Sequence, residues 1–590
     1  MPIRPRHAGA VALTLSGFAL TGYLVGCGAT GQTTWLGKKD EPDRLAEEVV
    51  LEEDPRTESA AVRDTIHTVA WLEGLRRMAV GGHGLVVGLG KNGTKQCPRP
   101  VREQMLQDMR RRYRLGYEAK ALKHLTPENL LDSEGTAVVL VYGEIPAAAH
   151  KGTQFDLTVR ALEGTDVRSL EGGWLLPCNL MLWSDGQPVE GRVLAEGAGQ
   201  VFINPFGLKQ DAPTKTNPRV GRVIGGGSTT KARRVRLVLT ESSSAIASRL
   251  MYLINNRFGA DPHKTADAVS PHVVDLRIPK AWRGSEPHFL KLLMHLYVPA
   301  APSFGDLRLR ELGAEALEPK AALDDISLAW EGMAKVALAS IQKLYTHKDQ
   351  GVSYYAARAG LRIEDNLALD VIARHANDPQ SRFRELAVEE LGRAKNLSRA
   401  VQVLRPLLDA DDHRVRWLAY ECLRRHEDPV IQSTKIGKRG EFVLDLVPCR
   451  SRHLITARRS GEQRLTLFGA TMRCQTPVFY WHRNETVIIT ADLGATHLRL
   501  VRRAPTTGRR SEPITCPTSV AGLIGMLGRD PVKDDEGHYQ GLGLTYSQVV
   551  EVLHDLCADK TIDATFVLQG PEPAEVAAPP SDAGRPESEL

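Results

Sequence analysis

Apolar and polar residues alternate in several short segments of the first half of the chain. Residues 155–162 and 233–239 place an apolar side chain at every second position, which is the period of a strand with one buried face. Residues 136–146 form an apolar run that ends at Pro146 and predict a buried strand. Residues 273–279 predict a further strand.

A helical period appears among these strands. Residues 243–259 predict a helix that stops at Gly259. Its apolar positions fall on one face: Ile246, Leu250, Leu253 and Ile254. A second helix is predicted at 101–109. The mixture of strands and helices predicts an α+β region over residues 65–300.

After about residue 320 the pattern becomes helical and repeats itself. The segment FRELA at 383–387 recurs as VRWLA at 415–419, and Leu391 and Leu423 follow four residues beyond each copy. The pattern resembles HEAT repeats, whose paired helices present a surface to a partner. The 32-residue spacing is shorter than the roughly 40 residues usual for HEAT repeats. A plain helical bundle that packs on its own chain is the alternative for residues 320–430.

The last third of the chain is rich in β-forming residues. Strands are predicted at 442–447, 464–468, 486–491 and 497–501, followed by a helix at 544–557 and a strand at 565–569. We therefore predict a β-rich C-terminal domain over 440–569. Residues 570–590 are Pro, Ala, Glu and Ser and predict a disordered tail. The predicted fold class is α+β, multidomain, with a helical-repeat middle.

The N-terminus has the order of basic, apolar and small residues that is typical of a secretory signal. Arg4 and Arg6 precede an apolar run at 8–26, and residues 24–27, LVGC, resemble the bacterial lipobox, in which the cysteine is lipidated. We predict a lipoprotein signal peptide at 1–26, a lipid on Cys27 and a flexible polar tether at 27–64. A plain cleaved signal and a short membrane anchor are the alternatives.

Length and charge bound the classes of function. A chain of 590 residues is too long for one core and predicts three to four structural units. Its 76 basic and 71 acidic residues give a net charge of only +5, so the composition does not call for a nucleic-acid partner. The basic cluster at 110–114 is interpreted as the solvated face of a helix.

Seven cysteines follow Cys27, and none forms a CxxC pair or a cluster with histidine. The sequence therefore offers no zinc site and no other metal site. In an oxidising compartment some of these thiols can pair. Because Cys449, Cys474 and Cys516 lie in one β-rich segment, we expect a disulfide there, with its connectivity open.

The most unusual segment is GGHGLVVGLGKNGTK at 81–95, which has six glycines in fifteen residues. A phosphate-binding P-loop would need a glycine five positions before Gly90 and a hydroxyl residue after Lys91, but Leu85 and Asn92 occupy those positions. The segment is instead predicted to be a short apolar strand between backbone turns that need positive φ.

Several motifs in one order resemble the bacterial flagellar P-ring family. Residues 72–89, LEGLRRMAVGGHGLVVGL, resemble the opening segment of that family, and Gly93 and Thr94 stand where the family has a Gly-Thr pair. Four further segments resemble the family in the same order: 137–146, 151–159, 168–180 and 222–227. The resemblance covers residues 65–300, with a weak echo at 544–569.

The resemblance implies a structural role. P-ring subunits assemble with themselves into a periplasmic ring around the distal rod of the flagellum, near the peptidoglycan and the outer membrane, with rod and L-ring proteins as partners. In that role the glycine-rich strand packs closely and buries its apolar side chains within or between subunits. Its residues are Gly82, Gly84, Leu85, Val86, Val87, Gly88 and Leu89. No cofactor and no small-molecule substrate are implied.

The alternative function is an envelope lipoprotein that has left the flagellum and uses its helical repeats as a scaffold or binding module. The lipobox and the helical block, which the P-ring family lacks, favour this alternative. An enzyme is not predicted, because the chain has neither a GxSxG nor an HExxH motif. The carboxylate pairs at 324–325 and 411–412 are interpreted as helix starts, so no residue is assigned a catalytic role.

Overall fold

The computed structural model describes residues 59–568, apart from 115–125, 185–186, 189–190, 209–214, 260–263, 300–301, 396, 438–440, 451, 483–485, 504–508 and 534–538. The predicted signal peptide, Cys27, most of the predicted tether and the predicted tail lie outside the described residues.

Strands and helices alternate up to residue 299, as the sequence predicts. The helices are α1 (Ile66–Val69), α2 (Arg99–Arg114), α3 (Pro127–Leu131), α4 (Ser244–Phe258) and α5 (Glu286–Met294). The strands are β1 (Ala70–Glu73), β2 (Met78–Val87), β3 (Thr136–Ile145), β4 (Gln154–Ala161), β5 (Trp174–Ser184), β6 (Gln187–Pro188), β7 (Ala195–Gln200), β8 (Val220–Thr229), β9 (Val235–Leu239), β10 (Ala266–Ala268) and β11 (Val273–Leu276).

Six of these strands form an antiparallel sheet that closes on itself. The order is β2-β3-β4-β8-β7-β5, and β2 also pairs with β5, so each of the six has two neighbours. Strand β6 extends β5. The inward side chains fill the interior with branched residues that water does not reach: Val80, Val86, Val139, Leu157, Leu175 and Leu180. Closure leaves no open edge along these six strands.

A second, smaller sheet lies beside the closed one. Its order is β1-β9-β11-β10, all antiparallel. Helices α4 and α5 cover it and contribute Leu250, Ile254, Phe289 and Leu293 to a common core. Ser243 caps α4 by accepting a hydrogen bond from the backbone N–H of Ile246, as a helix start requires.

The middle of the chain is helical. The helices are α6 (Pro302–Glu315), α7 (Leu323–Gly332), α8 (Leu338–Ile341), α9 (Gln350–Arg362), α10 (Asn366–Asn377), α11 (Arg384–Leu391), α12 (Leu397–Leu407) and α13 (His413–Arg425). The two sequence copies are α11 and α13. Helix α9 is a third copy, since Val352 and Ala356 precede Phe383 and Ala387 by 31 residues and are buried with them.

The C-terminal region is β-rich, as predicted, and contains two helices in its described part. The strands are β12 (Gln432–Ile436), β13 (Phe442–Val447), β14 (Leu454–Ala457), β15 (Arg464–Phe468), β16 (Val478–Trp481), β17 (Val487–Ala491), β18 (His497–Arg502), β19 (Ile514–Pro517), β20 (Val532–Lys533), β21 (Tyr539–Gln540) and β22 (Thr565–Leu568). The helices are α14 (Val520–Gly528) and α15 (Tyr546–Ala558).

Two sheets organise this region. The first is mixed, in the order β12-β13-β15-β14-β22, with parallel pairs β13–β15 and β14–β22. The second is the antiparallel meander β16-β17-β18-β19. Helices α14 and α15 share one core with both sheets. Parallel pairing requires long connections, and here the connection from β14 and β15 to β22 contains the whole meander and both helices.

The regions pack on one another. Val447, Leu454 and Phe468 of the mixed sheet belong to the same core as helices α9 to α13. One face of the helical block is therefore covered by its own chain. This packing agrees with the bundle alternative, although the helices themselves repeat as HEAT-like repeats do.

The first described residues are anchored to α6. Ser59 and Ala60 both bond to the carboxylate of Glu315, at 2.5 and 2.9 Å. Further along, Arg308 donates to Asp64 at 2.5 Å while the guanidinium of Arg308 is almost fully buried. Six residues assigned to the tether thus belong to the folded chain, because α6 supplies partners that lie some 250 positions away in sequence.

Candidate functional site: the glycine-rich strand and the helical repeats

Strand β2 is the glycine-rich segment singled out by the sequence. It pairs with β3 over its whole length and with β5 on its other edge. The pairing with β5 shifts register between Gly81 and Val86, which marks a β-bulge. The strand is therefore longer than predicted and passes through the first three glycines.

Those glycines allow close approach within the sheet. A Cβ on Gly82 would lie 2.3 Å from the backbone oxygen of Asn179 in β5. A Cβ on Gly81 would lie 2.1 Å from the ring of Trp183, and one on Gly84 would lie 2.7 Å from Leu175. Glycine is therefore needed at these positions because the closed sheet leaves no room for a Cβ, and not because the backbone has a positive φ.

Positive φ is needed only where β2 ends. Gly88 has φ 85° and Gly90 has φ 58°, and a short 3-10 turn at Gly90–Asn92 follows in place of a phosphate-binding helix. Amides in and around this turn bond within the chain, since Leu89 N–H donates to Gly135 O at 2.9 Å, Asn92 N–H to Leu89 O at 3.0 Å and Thr94 N–H to Thr136 O at 2.8 Å. These bonds fix the end of β2 against the start of β3.

The apolar residues of β2 face two cores. Val86 and Leu89 lie in the interior of the closed sheet. Leu85 points outward into a second cluster under α2 and α3, and Val87 is half-buried against that cluster. His83 lies on the outward face, and burial lowers the pKa of its imidazole.

The helical repeats carry a series of charged side chains that join neighbouring helices, and Arg358, Arg362 and Glu390 among them are largely buried. Arg358 of α9 donates to the Asp324 carboxylate at 2.5 Å, in the first turn of α7. One turn later on α9, Arg362 makes a bidentate pair with Glu390 of α11, at 2.7 and 3.0 Å. Asp412 caps α13 by accepting from Arg414 N–H at 2.8 Å. Asp324 and Asp412, one member of each acidic pair, therefore perform structural tasks at these helix starts.

A second buried charge joins the repeats to the C-terminal sheet. Asp445 of β13 is fully buried and accepts hydrogen bonds from Arg464 Nη1 at 2.5 Å and Ser433 Oγ at 2.6 Å. The hydroxyl of Tyr420, from α13, donates to the same carboxylate. Sequence analysis missed this residue, although a lone acid within the apolar strand FVLDLV (442–447) is a usable signal of a paired buried charge.

The expected disulfide is not formed. No disulfide bond joins any two of the seven cysteines that the structure describes. Cys449 lies beside Arg416, with Sγ 3.7 Å from Nη1, whereas Cys474 and Cys516 belong to the core between the C-terminal sheets and helices. Burial raises the pKa of Cys474 to about 11 and that of Cys516 to about 12, so both thiols stay protonated. Sharing a β-rich segment did not give the three residues the geometry of a bridge.

Within the part of the chain that the structure describes, no group of three or more His, Cys, Asp or Glu side chains is arranged to hold a metal ion. Over the same residues, no helix combines the length and apolar character needed to cross a membrane.

Comparison with known families gives two matches. Residues 65–303 match the model of the flagellar P-ring protein family. Residues 338–424 match the model of HEAT repeats. The predicted resemblance to P-ring proteins and the predicted HEAT-like repeats are thereby confirmed. The P-ring match ends before the helical block, so the echo at 544–569 gains no support.

Individual relatives agree with the first match. The chain is 30% identical over 250 residues to flagellar P-ring protein 1 of Bradyrhizobium diazoefficiens, and the aligned segment covers 41% of this chain and 62% of that protein. It is 31% identical over 243 residues to the flagellar P-ring protein of Nitrobacter winogradskyi, which covers 40% of this chain and 60% of that protein. The chain thus spans about three fifths of the length of the relatives it matches, and these relatives agree with the prediction that it is not an enzyme.

Proposed function

We propose that this chain is a structural subunit of a flagellar P ring, which assembles with copies of itself around the distal rod in the periplasm. The observation that supports it most is the extent of the match, because residues 65–303 include both the closed sheet and the smaller sheet beside it. The rod and the L-ring proteins are the partners that follow from this proposal.

The architecture suits a load-bearing subunit. Strand β2 is tied on both edges and its glycines let β5 approach without side chains between the backbones. A closed sheet resists deformation because its core is close-packed and because each of its strands is hydrogen-bonded to a strand on either side. The HEAT block is an addition that lies outside the P-ring match.

Electron microscopy of envelope-extracted protein tests the proposal. Rings threaded on a rod, and their loss when the gene is deleted, are the expected result. Val86→Asp should abolish rings, since it buries an unpaired charge inside the closed sheet at a cost of several kcal/mol. Monomers free of any rod, from cells that still carry complete basal bodies, would overturn the proposal.

A second candidate is an envelope scaffold that acts through its repeats. It is favoured by the HEAT match at 338–424, which lies outside the part shared with P-ring proteins. This candidate would be supported if a partner other than rod and ring proteins co-purifies with the chain. Substitution of exposed side chains on α10 and α12 should then abolish the co-purification. Motility of a deletion strain separates the two functions.

We further propose that Cys27 carries lipid and holds the protein at the outer membrane. A fatty-acid analogue fed to cells should label the protein, and Cys27→Ser should remove the label. Cys97→Ser is the matched control and should keep it. A labelled Cys27→Ser protein would contradict the proposal.

A further inference from the structure

The outer face of the C-terminal meander carries large apolar side chains in water. On β16 the residues alternate between buried and exposed, so Phe479 and Trp481 point outward and are 76% and 46% exposed. Leu493, in the turn between β17 and β18, is 81% exposed. The β16 edge is also the end of this sheet. Exposed apolar patches of this kind mark interaction sites.

The strand register places these side chains in two rows across the sheet. Phe479 is opposite Thr490, which is opposite Arg499, which is opposite Thr515. In the next row, Trp481 is opposite Ile488, which is opposite Val501. An aromatic strip on the β16 edge therefore continues into half-buried aliphatic residues, with a basic residue beside it.

The charge of this face has one sign. Exposed His497 and Arg499 alternate with buried residues on β18. Among the outward positions of strands β16 to β19, as described here, no Asp or Glu occurs: Phe479, Trp481, Ile488, Thr490, His497, Arg499, Val501, Thr515 and Pro517. Asp492 lies in the connecting turn. A binding partner should therefore be apolar at its centre and anionic at its rim.

We propose that this face, defined by Phe479, Trp481, Leu493 and Arg499, binds the surface of an anionic phospholipid bilayer. Aromatic rings are favoured at the boundary between headgroups and acyl chains. A basic side chain beside them is attracted to the negative surface of anionic lipid. The aromatic strip lies on a sheet edge and Leu493 lies at a turn, so these side chains can enter the headgroup layer without a change in fold.

A symmetric contact between two copies fits the same face less well. In a two-fold interface the same patch meets itself, and the outward positions of the described strands offer the Arg499 of a second copy no acidic partner. The proposal concerns residues outside the P-ring match, so it stands or falls independently of the flagellar function.

Vesicle sedimentation tests the proposal with the chain made without residues 1–27, which removes the apolar leader and the lipid site and leaves every described residue in place. Binding to phosphatidylcholine vesicles that contain phosphatidylglycerol is expected, with weaker binding to phosphatidylcholine alone. The double variant Phe479→Ser, Trp481→Ser should weaken binding by about tenfold or more. Arg499→Gln should weaken it about fivefold on the anionic vesicles only.

Tyr252→Ser is the matched control, because Tyr252 on α4 is 72% exposed and lies outside this face; it should bind as the parent does. Leu493→Ser provides a second, smaller change should the double variant fail to fold. Absence of binding to either vesicle, or binding unchanged by all three changes, would overturn the proposal. So would a parent dimer that the double variant dissociates, since the face would then be a contact between copies.

Discussion

At the scale of single residues, the glycines of β2 matter for the atoms they omit. Gly81, Gly82 and Gly84 lie within a strand. Glycine is needed there because a neighbouring backbone or side chain occupies the space that a Cβ would fill. The neighbour of Gly82 is a backbone oxygen, which cannot rotate away. The neighbour of Gly81 is the Trp183 ring, which can shift.

We therefore expect Gly82→Ala to destabilise the protein by about 1–3 kcal/mol, through forced separation of β2 and β5. The midpoint of urea unfolding measures it. Gly313→Ala is the control, because α6 leaves open space at that Cβ, and alanine there should be neutral or stabilise by up to about 1 kcal/mol. Equal midpoints for Gly82→Ala and the parent would show that the sheet yields at no cost.

Glu390 is a buried charge whose ionisation depends on its partners. Burial by itself would raise its pKa, but the charge and hydrogen bonds of Arg362, with Arg393 beside it, lower the pKa to about 2. A folded pKa below the unfolded value of about 4.3 stabilises the fold at higher pH. That stability is lost as the pH falls from about 4 towards 2.

Glu390→Gln should cost about 3 kcal/mol near neutral pH, because Arg362 stays buried without its counter-ion. The difference in unfolding free energy between the parent and the variant should shrink as the pH falls below about 4. Urea titrations across that pH range measure both effects. Glu364→Gln, in an exposed pair with Lys395, should cost less than about 1 kcal/mol. A difference that is constant with pH would contradict the assignment.

At the scale of elements, the three repeat helices share one design. A turn precedes each of α9, α11 and α13, and the small residues Ala356, Ala387 and Ala419 let neighbouring helices approach. Asp349 and Asp412 cap α9 and α13 through their side chains. Sequence analysis found the second and third copies, since they share the Arg and Leu of their motif, and missed α9, which has Gly360 where they have leucine.

The cap of α13 allows a test with adjacent residues. Asp412→Ala should destabilise the repeat block by about 1 kcal/mol, because the N–H of Arg414 loses its acceptor. Asp411→Ala should have almost no effect, since Asp411 precedes the cap position. Thermal midpoints of the two variants give the comparison. A larger loss for Asp411→Ala would place the start of the helix one residue earlier.

At the scale of the whole molecule, the helical block and the C-terminal sheet share a core that contains a buried polar centre. Asp445 links α13 to β12 and β15 through Tyr420, Ser433 and Arg464. Asp445, Tyr420 and Arg464 are buried, so water does not replace the hydrogen bonds that are lost when one of these three groups is removed.

Asp445→Asn should uncouple the two regions, because a neutral amide cannot balance the buried Arg464. We expect the free energy of unfolding to fall by about 3 kcal/mol and proteolysis between α13 and β12 to become faster. Urea unfolding measures the first effect, and mass spectrometry of the fragments measures the second. Asp492→Asn, in an exposed turn, is the control and should change neither. A single unfolding transition at the parental midpoint in Asp445→Asn would show that the remaining contacts, among them the Glu421–Arg458 ion pair, hold the regions together without Asp445.

The strands, helices and repeats were readable from the sequence because each depends on periodicity within about a dozen neighbouring residues. Predicted strands at 155–162 and 442–447 and the helix at 243–259 agree with β4, β13 and α4 within two residues. The resemblance to P-ring proteins rested on motifs of similar length.

The tertiary structure decided what depends on residues far apart in the chain. Closure of the sheet through β2 and β5, the anchoring of residues 59–64 on α6 and the free thiols of Cys474 and Cys516 are such features. The role of Gly82 was decided in the same way. The sequence shows that residue 82 has no Cβ, but only the position of the Asn179 backbone oxygen shows why none fits. Local pattern determines which elements form, whereas the space between elements is set by contacts that no local pattern contains.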